Sequence, residues 1–283
     1  MEIYIGLDIG GTKVMAAAAN KKGEILERIH LQTPTALQEG LDLLKDAVLQ
    51  LAKERRVLAI GAAIGGPLDW EQGIVSPLHQ PEWRGIPLKE IMETEFGCPF
   101  YVDVDTNIAA LGEYKFGGER PERLLYMTVS TGVGGGLLMD GKIYRGMQGG
   151  HPEVGHQAIH FHCSFPERVH CDCGAPDCLE ALISGTGIRR VYGKPAEQLN
   201  SEEWREVGVN LGLGIRNIAC FYTPDVVVLG GGVAVGGGAK LIETAEETMR
   251  SRLNIVPAPR VRLSNLGYDT ALQGTIAVAM DGL

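Results

Sequence analysis

No window of this sequence approaches the roughly 20 apolar residues that a bilayer-crossing helix needs, so no membrane partner is expected. It has no basic stretch followed by a long apolar run at its start. Met1 to Asp8 instead alternates apolar and polar residues and reads directly as a strand, which predicts a cytosolic protein without a signal peptide. Basic residues are in the minority, 26 Lys and Arg against 35 Asp and Glu for a net charge of -9, and they do not cluster. That argues against nucleic acid, whose backbone is held mostly by clustered Lys and Arg. Nothing is low-complexity. In a reducing compartment the six Cys do not form a disulfide framework. Four of them, Cys163, Cys171, Cys173 and Cys178, fall within sixteen residues, which points to a metal instead.

What remains is ordinary globular composition over 283 residues, enough for two lobes. Ile3 to Leu7, Val14 to Ala19 and Glu24 to His30 read as antiparallel strands. Leu37, Leu41, Leu44, Val48 and Leu51 mark one buried helix face. Strands follow at Val57 to Ile64 and Phe100 to Val104, separated by a loop from Gly65 to Pro87 and a short helix around Leu88, Ile91 and Met92. A helix opens near Thr106. The second half begins in the same way, with a strand at Leu124 to Val129, a glycine-rich bend and a strand at Leu137 to Met139. It continues with a helix over 202–222, a strand at Val226 to Leu229, a helix from about Ala239, a strand at Arg260 to Ser264 and a last helix over 270–280. The pattern is mixed α/β with a weak internal repeat and a boundary near residue 115.

Two glycine-rich turns could cradle phosphate. In DIGGTK, Asp8 to Lys13, backbone N–H groups can converge on an anion. The string ends Thr12 then Lys13, and a strand follows, so it is not a P-loop. A plain hairpin turn with glycines at positive φ explains it equally well. STGVGGG, Ser130 to Gly136, repeats the chemistry in the second half, and two such turns at the starts of similar halves suggest a nucleotide clamped between them. Gly230, Gly231 and Gly232 leave an apolar strand and could flank a purine, or simply turn the chain.

Asp105 closes an apolar strand and precedes a helix, where it could accept a proton from a hydroxyl or act as an N-cap. His156, Cys171, Cys173 and Cys178 offer one imidazole and three thiols, the donor set of a closed structural zinc site, with buried or redox-active thiols as the alternative. Glu153 and Glu180 flank that segment and could face a polyol or solvent.

Taken in order and spacing, DIGGTK, GGPLD with Trp83 downstream, VDTNIAALGE, STGVGGG, EVGH, CDCGAPDCLE and LGGGV resemble the ROK family of sugar kinases and repressors across nearly the whole chain. The resemblance implies an actin-like ATPase (ribonuclease H-like) fold of two related lobes with a cleft between them. The lobes would be 1–115, with a C-terminal helix 269–283 packing back on it, and 116–268, carrying the zinc loop. It further implies transfer of the ATP γ-phosphate to a hexose hydroxyl with Mg²⁺, glucose being the default acceptor. N-acetylmannosamine, fructose, a glycoside or a weakened sugar sensor are the alternatives, and a homodimer or higher homo-oligomer is expected. Carried over by position, Asp105 is the base. Gly66, Asn107, Glu153, His156 and Glu180 bind sugar. Asp8, Gly10, Gly11, Thr12, Lys13, Ser130, Thr131, Gly132, Gly134, Gly231 and Gly232 bind ATP, and His156 with Cys171, Cys173 and Cys178 binds zinc. The chain departs from the family at Val104, where Asn is usual, and at Pro152 and Asp177, where Gly is common. A repressor would need a DNA-binding extension, for which a chain beginning at its first strand leaves no room.

Overall fold

A computed structural model describes residues 1–283. The chain divides into two compact units, one of residues 1–119, 147–149 and 269–283, the other of residues 120–146 and 150–268.

In the first unit, β1 (Glu2–Ile9), β2 (Lys13–Ala19), β3 (Ile25–Gln32), β4 (Arg56–Ile64) and a later strand build one sheet. The loop expected after β4 contains a small three-stranded ribbon, β5 (Leu68–Asp69), β6 (Ile74–Val75) and β7 (Ile86–Pro87). Its two-residue strands are too short to give a periodic signal. The fifth strand of the main sheet is β8 (Phe100–Val104), and the sheet order is β3-β2-β1-β4-β8. β1 to β3 pair antiparallel, while β4 runs parallel to both β1 and β8. Burial explains the assignment. Ile3, Ile5, Leu7 and Ile9 point to one face, where Leu44 and Leu51 of α1 (Leu37–Ala52) cover them. The helices α2 (Leu88–Phe96) and α3 (Asp105–Phe116) follow β7 and β8.

The second unit repeats this plan. β9 (Arg123–Val129), β10 (Val133–Met139) and β11 (Lys142–Ile143) are antiparallel neighbours, and two parallel strands extend the sheet beyond β9. Between them come α4 (Glu180–Ile183), α5 (Gly185–Tyr192) and α6 (Ser201–Tyr222). Asn200 starts α6 by accepting the N–H groups of Glu202 and Glu203, while the Glu203 carboxylate accepts the Asn200 N–H at 2.7 Å. The parallel strands are β12 (Val226–Gly230) and β13 (Arg260–Leu263), giving the order β11-β10-β9-β12-β13. It matches the first sheet strand for strand, so the internal repeat seen in the sequence is a duplicated topology.

α7 (Gly232–Ser251) starts seven residues before the expected Ala239. Its glycines are poor helix formers, but Val233 and Ala234 are buried, and that packing overrides propensity. The expectation caught only the part beyond Gly238, where the helix breaks at φ 56°.

The last helix, α8 (Thr270–Asp281), belongs to the first unit and lies on the sheet face opposite α1, with Val278 packed against Ala63 and Ile108. The approach requires glycine. A Cβ on Gly274 would stand 1.9 Å from the Ile108 carbonyl oxygen of α3, and one on Gly61 would stand 2.1 Å from the Thr275 oxygen. No helix is long and apolar enough to cross a membrane.

Candidate active site

The parallel half of the first sheet decides where chemistry can sit. β1, β4 and β8 run the same way, so Asp8 near the end of β1 and Asp103 near the end of β8 are both in register with Ala63 of β4. Asp105 follows as the first residue of α3. Carboxyl ends of parallel strands are where open α/β sheets place their ligands.

Asp105 is exposed, and its Oδ1 accepts the N–H of Thr106 at 2.7 Å. Val104 occupies the N-cap position and no side chain caps α3, so the conventional capping role considered for Asp105 is not the one observed. Asp8 is more enclosed. Burial first, and then the charge of Asp105, push its carboxyl up from the ordinary value to about 7, with Lys13 opposing. Asp8 thus lies within electrostatic reach of the Asp105 carboxylate and the Lys13 ammonium, beside the turn that joins β1 to β2.

That turn is tight. Gly10 N–H donates to the Lys13 carbonyl at 2.9 Å, and Thr33 Oγ1 donates to the Gly10 carbonyl at 2.7 Å. Neither Gly10 nor Gly11 has a positive φ, so the left-handed conformation expected of a hairpin is not why glycine stands there. A Cβ on Gly10 would lie 2.9 Å from the Lys13 oxygen.

Asn107 is buried within α3. Its Nδ2 donates to Asp103 Oδ1 at 3.1 Å, while its Oδ1 has no partner. The Asp103 carboxylate also accepts the Val104 N–H at 2.6 Å. Gly66 lies in the loop after β4, where its carbonyl accepts the Leu78 N–H at 3.1 Å.

In the second unit the other glycine turn joins β9 to β10. Ser130 N–H donates to the Gly132 carbonyl at 2.9 Å, closing it, and Ser130 and Thr131 carbonyls receive Gly185 and Thr186 at the start of α5. Beside it opens a cavity of about 290 Å³ in which Ser130, Thr131 and Gly232 face Arg189, Trp204 and Val233. Gly231, with φ 89°, turns the chain from β12 into α7. A Cβ there would stand 2.5 Å from the Val129 oxygen, so the close fit as well as the φ calls for glycine. Gly134 lies within β10 and does not line the cavity.

The segment before α4 folds over β10, since a Cβ on Gly135 would meet Val154 at 2.8 Å. Glu153 remains exposed and contacts His151 Nε2 at 3.3 Å. Glu180 is drawn inward. Its Oε2 accepts the Val133 N–H at 2.8 Å, and the Cys171 thiol lies 3.8 Å from its Oε1.

His156, Cys171, Cys173 and Cys178 offer ligand atoms that all lie within 4.8 Å of one another. Cys171 Sγ is 3.6 Å from His156 Nδ1 and Cys173 Sγ is 3.5 Å from Cys178 Sγ. These approach the spacing of about 3.8 Å that donors around a tetrahedral zinc would have with bonds of about 2.3 Å. The Ala175 backbone N–H and the neighbouring thiols pull Cys173 down to about 7, whereas burial pushes Cys178 up to about 12. Cys173 is thus the most acidic of the three thiols. The positional expectation therefore brings together all four candidate ligands, and Cys163 stays apart among apolar neighbours.

Sequence reasoning missed Arg189 and Trp204 as cavity walls. They lie on separate helices and carry no shared motif, so only folding relates them to Ser130.

A sheet of this order built twice in one chain, with a glycine turn at the same point of each copy, is an actin-like ATPase fold. The chain belongs to the ROK family, whose profile matches residues 4–281. Among its relatives, the glucokinase of Streptomyces coelicolor is 28% identical over an alignment 318 positions long, covering 99% of this chain and 98% of that protein. Among solved structures, the ROK hexokinase of Thermus thermophilus aligns with a TM-score of 0.84 at 31% identity, over 98% of this chain and 97% of the other. A ROK family glucokinase from Streptomyces griseus, in complex with glucose and AMPPNP, gives a TM-score of 0.80 at 27% identity, over 99% of this chain and all of the other (100%).

Proposed function

We propose that this protein is an ATP-dependent sugar kinase that transfers the γ-phosphoryl group to a hexose hydroxyl, with glucose as its substrate. The observation that carries the reading is the carboxylate pair Asp8 and Asp105 beside the Gly10 to Lys13 turn, on a chain similar throughout to a glucokinase that holds glucose and AMPPNP.

Phosphoryl transfer asks a protein mainly to position groups and to stabilise charge. Asp105 accepts the proton of the attacking hydroxyl, which its exposure permits. Lys13 and the Gly10, Gly11 and Thr12 backbone offset phosphate charge, as do Ser130, Thr131, Gly132 and Gly134. The base lies in the cavity bounded by Trp204, Val233 and Gly232, after the turn at Gly231. Mg²⁺ bound with the nucleotide supplies charge neutralisation, and Asp8 is the carboxylate that would face it, directly or through water. Gly66, Asn107, Glu153, His156 and Glu180 are assigned to the sugar. Asn107 acts through its hold on Asp103, because its amide is buried. Val104 is also buried and offers no amide, so this chain lacks one hydroxyl contact expected of the family and recognises its sugar through the remaining groups.

Zinc fits the Cys171, Cys173, Cys178 and His156 set and would knot the segment that carries Glu180. With four protein donors it has no open position, so its contribution is structural.

The test is ADP release measured over a panel of glucose, fructose, mannose and N-acetylmannosamine with ATP and Mg²⁺. Turnover with glucose preferred is expected. Preference for another hexose would move the substrate, and no turnover with any hexose at millimolar concentration would overturn the kinase reading.

A further inference from the structure

The second unit holds another cavity, of about 360 Å³, lined by His160, Arg216, Asn217 and Arg252 above Ala158 and Ile159. None of its lining residues lines the cavity assigned to the nucleotide base. Arg216 projects from α6 and Arg252 directly follows α7.

Its chemistry is unusual for this chain. No carboxylate lines the cavity, and neither guanidinium enters an ion pair, although Asp and Glu outnumber Lys and Arg. The Arg216 guanidinium is partly fixed. Its Nε points at the Arg252 carbonyl at 3.5 Å and its Nη1 donates to Asn217 Oδ1 at 3.2 Å. Asn217 Nδ2 in turn points at the Ala158 carbonyl at 3.4 Å, tying the arrangement to the cavity floor. Arg216 Nη2 and the whole Arg252 fork remain available. The Arg252 carbonyl, just past the end of α7, faces Arg216 Nε. His160, an exposed residue, also lines the cavity.

We infer that this cavity binds a small phosphate-bearing anion, gripped by Arg216 and Arg252. Planar forks match phosphate oxygens in pairs, and a net charge of -9 discourages anions elsewhere on the surface. The floor gives the site a route to the rest of the unit. Ala158 pairs with Cys178, and the Ile159 N–H donates to the Asp177 carbonyl at 3.2 Å. An occupant therefore braces the stretch that carries Cys178 and leads into Glu180.

Inorganic phosphate and glucose 6-phosphate are titrated calorimetrically, at constant ionic strength, into the intact protein and into Arg216→Gln/Arg252→Gln. Gln preserves helix propensity at the half-buried Arg216 of α6, Arg252 lies exposed just past the end of α7, and circular dichroism checks the fold. Phosphate affinity is expected to fall at least about tenfold in the double variant, with sugar phosphorylation unchanged, and to fall less in Arg252→Lys. Equal affinity for both phosphate compounds would identify the phosphate group as the whole ligand. Tighter binding of the sugar ester, lost in the double variant, would extend the ligand to a phosphorylated sugar. No binding by the parent protein at millimolar phosphate, or equal binding by parent and double variant, overturns the proposal whether or not the protein phosphorylates sugars.

Discussion

Glu180 Oε2 accepts the backbone N–H of Val133 at 2.8 Å, joining the first turn of α4 to the glycine turn between β9 and β10. One carboxylate thus links the cysteine-rich segment to the turn assigned to phosphate. Removing the side chain leaves a partly buried N–H without an acceptor, which costs about 1–3 kcal/mol. Glu180→Ala is expected to raise KM for both ATP and sugar, while Glu180→Gln, which keeps an acceptor oxygen, should affect the sugar KM more than the ATP KM. If Glu180→Ala leaves the ATP KM unchanged, the contact does not position the turn.

Asp105→Asn removes the proton acceptor while keeping size and most local hydrogen bonding. General-base catalysis is worth about 100- to 10,000-fold, so kcat should fall by that order with little change in either KM. Steady-state rates of ADP release measure it. Equal kcat in variant and parent would remove Asp105 from the chemistry.

How far the sequence discloses the site depends on how local each feature is. The α1 face was legible because Leu41, Leu44, Val48 and Leu51 repeat at the helical period. The metal candidates were legible because three of the four ligands stand within eight residues, Cys171 to Cys178. The duplicated sheets followed from similar strand and glycine patterns in both halves. The Glu180 contact was not legible, since its partner lies 47 residues away and is a backbone N–H, which every residue but proline offers. Asn107 reads as a polar residue at a helix start, and only packing shows its amide turned toward Asp103. The start of α7 was hidden by glycines whose propensity opposes the helix that Val233 and Ala234 anchor.

Asp8 predicts a pH signature. Its folded carboxyl is raised to about 7 from 3.8, so the folded protein holds a proton that the unfolded chain has released. The associated stability is fully present below about pH 4 and disappears as pH rises through 7. Asp8→Asn removes this dependence. Measured without nucleotide, its melting temperature relative to the parent should rise between pH 5 and pH 8, by an amount of the order of a few kcal/mol of stability. A difference that stays flat over that interval would show that Asp8 titrates normally.

Gly274 allows α8 to lie directly on α3, because an added Cβ would meet the Ile108 oxygen at 1.9 Å and its carbonyl carbon at 2.6 Å. Backbone atoms cannot step aside as a side chain can. Gly274→Ala is expected to cost about 1–3 kcal/mol or more in urea denaturation. Gly236, inside α7 with nothing within 4 Å of an added Cβ, should instead gain about 0.4–1 kcal/mol on the same change. Similar effects at the two positions would refute the packing account.

The zinc proposal makes a composite prediction, because the metal would replace contacts that the thiols otherwise make with one another. Elemental analysis of the purified protein is expected to find about one zinc per chain, and Cys173→Ser to lose it. Cys173 is exposed, so its loss removes a ligand without opening a core cavity, whereas Cys178 is buried and would confound the two effects. Removal of the metal should free residues 150–185 to exchange amide hydrogens and should raise the sugar KM, since Glu180 follows Cys178 by only two residues. Hydrogen exchange separates this from a general loss of fold, because α1 and the first sheet belong to the other unit and should keep their protection. Metal-free protein with full protection over 150–185 and an unchanged KM would mean that the thiol cluster holds its shape alone.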